Sequence, residues 1–375
     1  MRISAFLGQN KRYLVVFLLV MFFLISFATK YIDWTIYRIE VTKAATNDGG
    51  YYKNIAQQIA EGEKPLEYLY TRGLRPVFIF YLAILLKIFG YNSDFIISLI
   101  NIIIISFFLT LLAYMVIKKY GSAGYWLSFI VAVIFIAGNP LILFFSPFIL
   151  TDIPAMGILI LGMFIYFEMN NKLKYILLGA VYALAFHVRE VTFINFVALI
   201  TTMLILKEPK RNVGIVIFMY LVLVIPWLWY VYSYNSLSPF LSHLAKAITA
   251  RKVIFHTDKM PLYARFATNL FRHYYLYITD GGPIDTHGYY AITYTLTMYV
   301  MGVIGGIILF VEGYKKEFYL IINSIFLTAL FYGFVGEAPY MRGRVLVEYL
   351  FVYIAAVGLI SSVGVARRKV EQMKG

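Results

Sequence analysis

Long apolar runs, separated by short polar stretches, recur along this 375-residue chain. Each run is continuous rather than alternating, which predicts helices and excludes the strands of a membrane barrel. A helix needs about 20 apolar residues to cross a bilayer. We therefore predict an all-α polytopic membrane protein with about ten transmembrane helices, near residues 13–29, 95–117, 123–140, 154–168, 173–187, 191–206, 213–232, 289–311, 318–334 and 345–364.

One further apolar run, residues 74–90, is interpreted differently. It is short, with Pro76 near its start and Lys87 near its end. Counting it as a span would invert every later loop and would place Lys118 and Lys119 outside the cell. We predict instead that this run is a juxtamembrane or re-entrant helix on the outer face.

The basic residues indicate orientation rather than a nucleic-acid partner. The formal net charge is +14, yet sixteen of the 33 Lys and Arg residues fall in the short segments predicted to face inward. An excess of basic residues in short cytoplasmic loops sets membrane orientation. We predict a multi-pass plasma-membrane protein with a cytoplasmic N-terminus. It has no cysteine, and therefore neither a disulfide framework nor a thiolate metal site.

The chain is expected to form a single transmembrane catalytic domain over residues 1–375. Two long outer loops, 30–94 and 233–288, contrast with inner connections of only a few residues. Long loops in compact proteins are usually functional or disordered, and these are rich in apolar and aromatic residues. Within the first loop, residues 51–60 have one apolar face, which predicts a helix lying on the membrane surface.

Two acidic motifs follow predicted spans. In TNDGGYY, residues 46–52, Asp48 is either a helix cap or a general base beside the bilayer. In SPFILTDIP, residues 146–154, one interpretation is that Thr151 or Asp152 serves only as the cap of the next helix. The alternative is that Asp152 is a functional residue, because an ionisable group at a span boundary is costly.

Three further motifs carry candidate ligands. HVRE, residues 187–190, places an arginine beside a glutamate, which form an ion pair or bind a lipid-linked phosphate. In GEAPYMRGRVLVEYL, residues 336–350, Arg344 and Glu348 are spaced to pair on a helix, leaving Arg342 for a ligand. DGGPIDTHGYY, residues 280–290, holds one histidine and two aspartates, which is weak support for a metal site.

In this order along the chain, the motifs resemble those of the GT-C superfamily of integral-membrane glycosyltransferases, which includes protein O-mannosyltransferases and lipid A aminoarabinose transferases. The resemblance implies transfer of a sugar from a polyprenyl-phosphate donor to a glycan, lipid or protein hydroxyl at the outer face. It implies an inverting displacement with Asp48 as base and Asp152 as an orienting residue. The implied substrate-binding residues are Asn47, Tyr51, Tyr52, Arg75, His187, Arg189, Glu190, Asp285, His287, Arg342 and Arg344.

The match to that superfamily has departures. Many relatives carry two adjacent acidic residues after the first span, where this chain has Asn47 and Asp48, which weakens the case for a metal-bridged carboxylate pair. The late arginine is usually followed by Tyr, whereas Val345 follows Arg344. No cofactor follows from these residues, although a divalent metal is compatible with them. The alternatives are a lipid-linked glycan flippase or transporter, an O-antigen type polymerase or ligase, and a non-catalytic assembly subunit.

Overall fold

The computed structural model describes residues 15, 17–22, 24–25, 47–63, 75–120, 133–146, 149–235, 260–271, 288–335 and 341–374. The side chains of Asn47, Asp48, Arg342 and Arg344 are not among those described. The described part of the chain is helical and contains no strand. The all-α prediction is therefore confirmed.

Most of the helices follow the predicted apolar runs. The helices are α1 (Asn47–Ala60), α2 (Pro76–Phe89), α3 (Asp94–Tyr120), α4 (Pro140–Phe145), α5 (Asp152–Glu168), α6 (Leu173–Val188), α7 (Phe193–Ile205), α8 (Lys210–Asn235), α9 (Leu262–Phe271), α10 (Gly288–Val311), α11 (Lys315–Val335) and α12 (Met341–Lys374). Helix α4 begins where one run ends, and α9 lies within the second long loop. A 3₁₀ turn, Glu190–Thr192, joins α6 to α7.

Within the described residues, four helices are long and apolar enough to cross a membrane. They are α3, α11 and the segments Lys210–Val231 of α8 and Thr293–Val311 of α10. Shorter apolar helices are α2, α6, α7 and a segment of α12. The structure therefore supports a membrane protein, while the total of about ten spans stays a prediction.

Side-chain contacts fix the relative directions of the central helices. Along α3 and α5, the rings of Tyr114 and Phe164 pack at a tilt with centres 6.1 Å apart and Lys118 pairs with Glu168, so the two helices run parallel. Helix α6 packs closely against α5, as shown by the ring of Tyr182, which a Cβ on Gly162 would meet. We name the two ends of this bundle the Asp152 end and the Glu168 end, after the first and last residues of α5.

Helix α2 does not cross the bundle. It begins after Arg75, which contacts Glu190 at the Asp152 end. It ends at Phe89, five residues before α3 begins at Asp94. In the register of α3 against α5, Asp94 lies about 12 Å beyond Asp152 on the same side. Both ends of α2 therefore lie at the Asp152 end.

The Glu168 end is held together by lysine–carboxylate pairs. Lys118 of α3 contacts Glu168 of α5, and Lys119 contacts Glu317 of α11. Lys119 also lies 5.3 Å from the ring centre of Tyr314. These contacts join α3, α5 and α11 where the sequence predicts the cytoplasmic face.

Glycines allow α10 and α12 to touch through their backbones. A Cβ added to Gly358 would collide with the carbonyl oxygen of Met301 and would lie 2.9 Å from the nitrogen of Gly305. Neither neighbour is a flexible side chain, so the space for a methyl group can come only from moving a helix.

Replacing Gly358 by Ala should therefore destabilise the protein by roughly 1–3 kcal/mol, the usual cost of overpacking. Gly302→Ala is the matched control, because its Cβ would lie 3.6 Å from Ile354 Cγ2, an ordinary contact. Thermal unfolding in detergent measures both variants. Equal stability of the two variants would contradict this packing.

Candidate active site

Arg189 and Asp152 form a buried ion pair at the Asp152 end. Helix α6 ends at Val188 and leaves Arg189 in extended backbone, with φ −152° and ψ 112°. From there Arg189 Nη1 reaches Asp152 Oδ1 at 2.8 Å and donates a hydrogen bond to Thr151 Oγ1 at 3.0 Å. Asp152 is 0% exposed and Arg189 is 3% exposed. The Thr151 hydroxyl thus serves Arg189 and makes no hydrogen bond that caps α5.

A second ion pair lies beside the first. Arg75 Nε and Nη2 donate to Glu190 Oε2 and Oε1, each at 2.6 Å, across 115 residues of sequence. Arg75 precedes Pro76, which starts α2, and is 8% exposed. The planar guanidinium matches both carboxylate oxygens at once, the geometry that makes such pairs strong and directional.

The two pairs form one electrostatic unit, which we name the four-charge cluster (Arg75, Glu190, Arg189 and Asp152). Burial raises the pKa of the Glu190 carboxyl, but the charge and hydrogen bonds of Arg75, with the charge of Arg189, outweigh it and lower that pKa to about 2. The cluster carries two positive and two negative charges.

Tyr52 connects α1 to the four-charge cluster. Its buried ring packs edge-on against Phe78 of α2, with ring centres 5.3 Å apart, and the Arg75 guanidinium lies 5.6 Å from the centre of the Tyr52 ring. Tyr51 is half-buried on the same helix. Asp48 lies one turn before Tyr52, in the first turn of the α1 backbone, while its side chain is outside the described part.

The other predicted site residues are not brought into this cluster. His187 lies close in sequence, but its Nε2 is 3.0 Å from the carbonyl oxygen of Leu223, so the ring links α6 to α8. Asp285 and His287 lie outside the described residues. The backbones of Arg342 and Arg344 belong to the first turn of α12, and their side chains, like that of Asn47, are not described.

Glu348 has a partner that sequence analysis did not identify. It is 0% exposed and accepts a hydrogen bond of 2.7 Å from Asn139 Nδ2. Asn139 stands at a break between helical residues 133–137 and α4, and its Oδ1 accepts from Ile142 N. Tyr353, five residues after Glu348, packs near Phe167 at the Glu168 end. Glu348 therefore lies inside the bundle.

Among the described side chains, no three His, Asp or Glu residues lie close enough to hold a metal ion. The two carboxylates of the four-charge cluster face arginines instead. The described chemistry of this end is therefore that of guanidinium groups positioned by carboxylates, a combination suited to binding anions.

The Glu190 carboxyl gives a pH test. Its pKa is lowered from 4.5 to about 2 in the folded protein, so the stabilisation is complete above about pH 4.5 and is lost as the pH falls towards 2. Between pH 5 and pH 3, protonation of this group should lower the free energy of unfolding of the wild type by up to about 2 kcal/mol. Glu190→Gln should not show this part of the pH dependence. Denaturant unfolding in detergent measures the difference. Glu61→Gln, which removes an exposed carboxyl, should behave as wild type, and identical profiles for all three proteins would disprove the pairing.

No family model, curated protein or solved structure matches the chain.

Proposed function

We propose that the chain is a membrane glycosyltransferase that moves a sugar from a polyprenyl-phosphate donor to an acceptor hydroxyl at the Asp152 end. The observation that carries the proposal is the four-charge cluster, in which two arginines and two carboxylates meet at one end of an apolar bundle. A prenyl donor stays in the bilayer, so the protein must meet its phosphate at the membrane surface. Guanidinium groups match phosphate oxygens in geometry and charge.

Arg75 is the arginine best prepared to bind that phosphate. Glu190 occupies its Nε and Nη2, while Nη1 is buried and has no hydrogen-bond partner among the residues that the structure describes. The guanidinium is thus held in one orientation by the carboxylate and keeps a donor for a ligand. A group that is already ordered loses little entropy when it binds, and its charge would stabilise the departing phosphate.

The apolar surface of α2 suits the lipid part of the donor. Phe80, Ile84 and Ile88 are exposed at four-residue intervals, which places them along one face of the helix. This face begins one turn after Arg75. A prenyl chain lying along it would keep its phosphate near the guanidinium, so we assign α2 to the donor.

The two aspartates receive different roles. Asp152 is fully buried against Arg189, where it positions that arginine and is poorly placed to meet an incoming acceptor. Asp48 lies in the first turn of α1, which contacts Arg75 through Tyr52, and we assign it as the base. In the reaction the acceptor oxygen bonds to the anomeric carbon, the bond from that carbon to the phosphate oxygen breaks, and the hydroxyl proton passes to Asp48.

The decisive variant is Asp48→Asn, which retains size and removes the base. In proteoliposomes supplied with labelled polyprenyl-phosphate sugars and extracted membrane acceptors, transfer should fall at least about 100-fold. The matched control is Asp94→Asn at the same end, where the carboxylate pairs with Lys53 outside the cluster and transfer should be retained. Wild-type transfer by a normally folded Asp48→Asn protein would refute the assignment.

One observation favours the transporter alternative. Intramembrane carboxylates beside broken helices are typical of substrate or ion pathways, and Glu348 with the break at Asn139 has this form. The same proteoliposomes distinguish the two functions. Movement of intact donor between leaflets without release of lipid phosphate would support a flippase.

A further inference from the structure

Helix α9 lies within the second predicted outer loop and packs against α11. A Cβ on Gly333 of α11 would lie 3.1 Å from the nitrogen of Phe266 and 3.5 Å from the carbonyl carbon of Arg265, so the two backbones nearly touch. The rings of Phe266 and Phe326 pack edge-on with centres 5.2 Å apart. These contacts fix the backbone at Arg265 against the bundle.

Two nitrogens of the half-buried Arg265 are shielded from solvent without being satisfied. Its Nε and Nη1 are buried and have no hydrogen-bond partner among the residues that the structure describes. Within that part of the chain no carboxylate lies within 4.0 Å of it, whereas Arg75 and Arg189 each contact one. An unpaired charge and buried unused donors are costly in a folded protein. A bound anion would compensate the charge of Arg265 and accept from its unused donors.

Arg265 lies at the Asp152 end. Helix α11 starts at the Glu168 end, where Glu317 contacts Lys119, and Gly333 follows sixteen residues later, about 24 Å along the helix. Phe331, two residues before Gly333, packs against Phe193, which directly follows the 3₁₀ turn that contains Glu190. Arg265 and the four-charge cluster thus lie at the same end of the bundle.

We propose that Arg265 binds a phosphate-type oxyanion where α9 packs on α11. Nε and Nη1 lie on different edges of the guanidinium and Nη2 belongs to both edges, so a ligand with several oxygens around one centre can accept two parallel hydrogen bonds along one of them. Phosphate has this form, and a phospholipid headgroup and free phosphate share it. Tyr263 on α9 is strongly exposed, as suits a helix at a membrane surface. This site is separate from the four-charge cluster and does not depend on the proposed transfer reaction.

The test uses the full-length protein in a phosphate-free maltoside detergent. Thermal unfolding is recorded during titration with inorganic phosphate and, separately, with short-chain phosphatidylglycerol. Wild type should be stabilised in at least one titration, and Arg265→Gln should raise the half-maximal concentration at least about tenfold. Arg265→Lys keeps the charge but lacks the planar guanidinium, so its half-maximal concentration should lie between those of wild type and Arg265→Gln.

Arg211→Gln is the matched control, because Arg211 is exposed at the start of α8 and should leave both titrations unchanged. A response to phosphate alone identifies a soluble anion, and a response to phosphatidylglycerol alone identifies a headgroup; both support the site. Absence of stabilisation in wild type, or equal responses of wild type and Arg265→Gln, would overturn it. Arg265→Lys provides the comparison if Arg265→Gln does not fold.

Discussion

The ion pair between Arg75 and Glu190 is the contact on which the arrangement of the Asp152 end depends. It joins the start of α2 to the turn between α6 and α7, across 115 residues. Arg189, next in sequence to Glu190, holds the start of α5 through Asp152. Helix α1 packs on α2 and follows it to the same place. One short segment, Arg189–Glu190, therefore holds the starts of α2 and α5 at the turn between α6 and α7.

Such a cluster is expensive unless its charges compensate one another. Removing a carboxylate or guanidinium from water costs several kcal/mol, and breaking a buried pair leaves that cost unbalanced. The two ends of the bundle meet this constraint with different residues. At the Glu168 end, lysines of α3 contact Glu168 and Glu317 and hold helices together. At the Asp152 end the carboxylates are contacted by arginines instead of lysines. The planar guanidinium of an arginine can bind a carboxylate and still have donors left for a ligand.

The sequence predicted the helices and several cluster residues, but not their pairing. Apolar runs define most of the helices directly. Asp152 is a candidate because a charge at a span boundary is costly, and Arg189 is one because its planar fork matches phosphate oxygens. Nothing in the spacing indicates that Arg75 binds Glu190, because contacts between distant segments depend on packing. For the same reason, the sequence does not indicate that Asn139 hydrogen-bonds to Glu348. The sequence does not single out Arg265, because α9 is a ten-residue helix inside a long loop and is too short to show a clear hydrophobic periodicity.

The central claim is that α2 lies along one end of the bundle, so that α1, α2 and the four-charge cluster share a side of the membrane. The absence of cysteine in the chain allows a direct measurement with single-cysteine variants and a membrane-impermeant maleimide. Cysteines at the exposed positions Glu61, after α1, and Tyr91, after α2, should react from the same side of sealed vesicles, and one at Lys172, between α5 and α6, only from the opposite side. Labelling of position 91 together with 172, opposite to 61, would contradict the account.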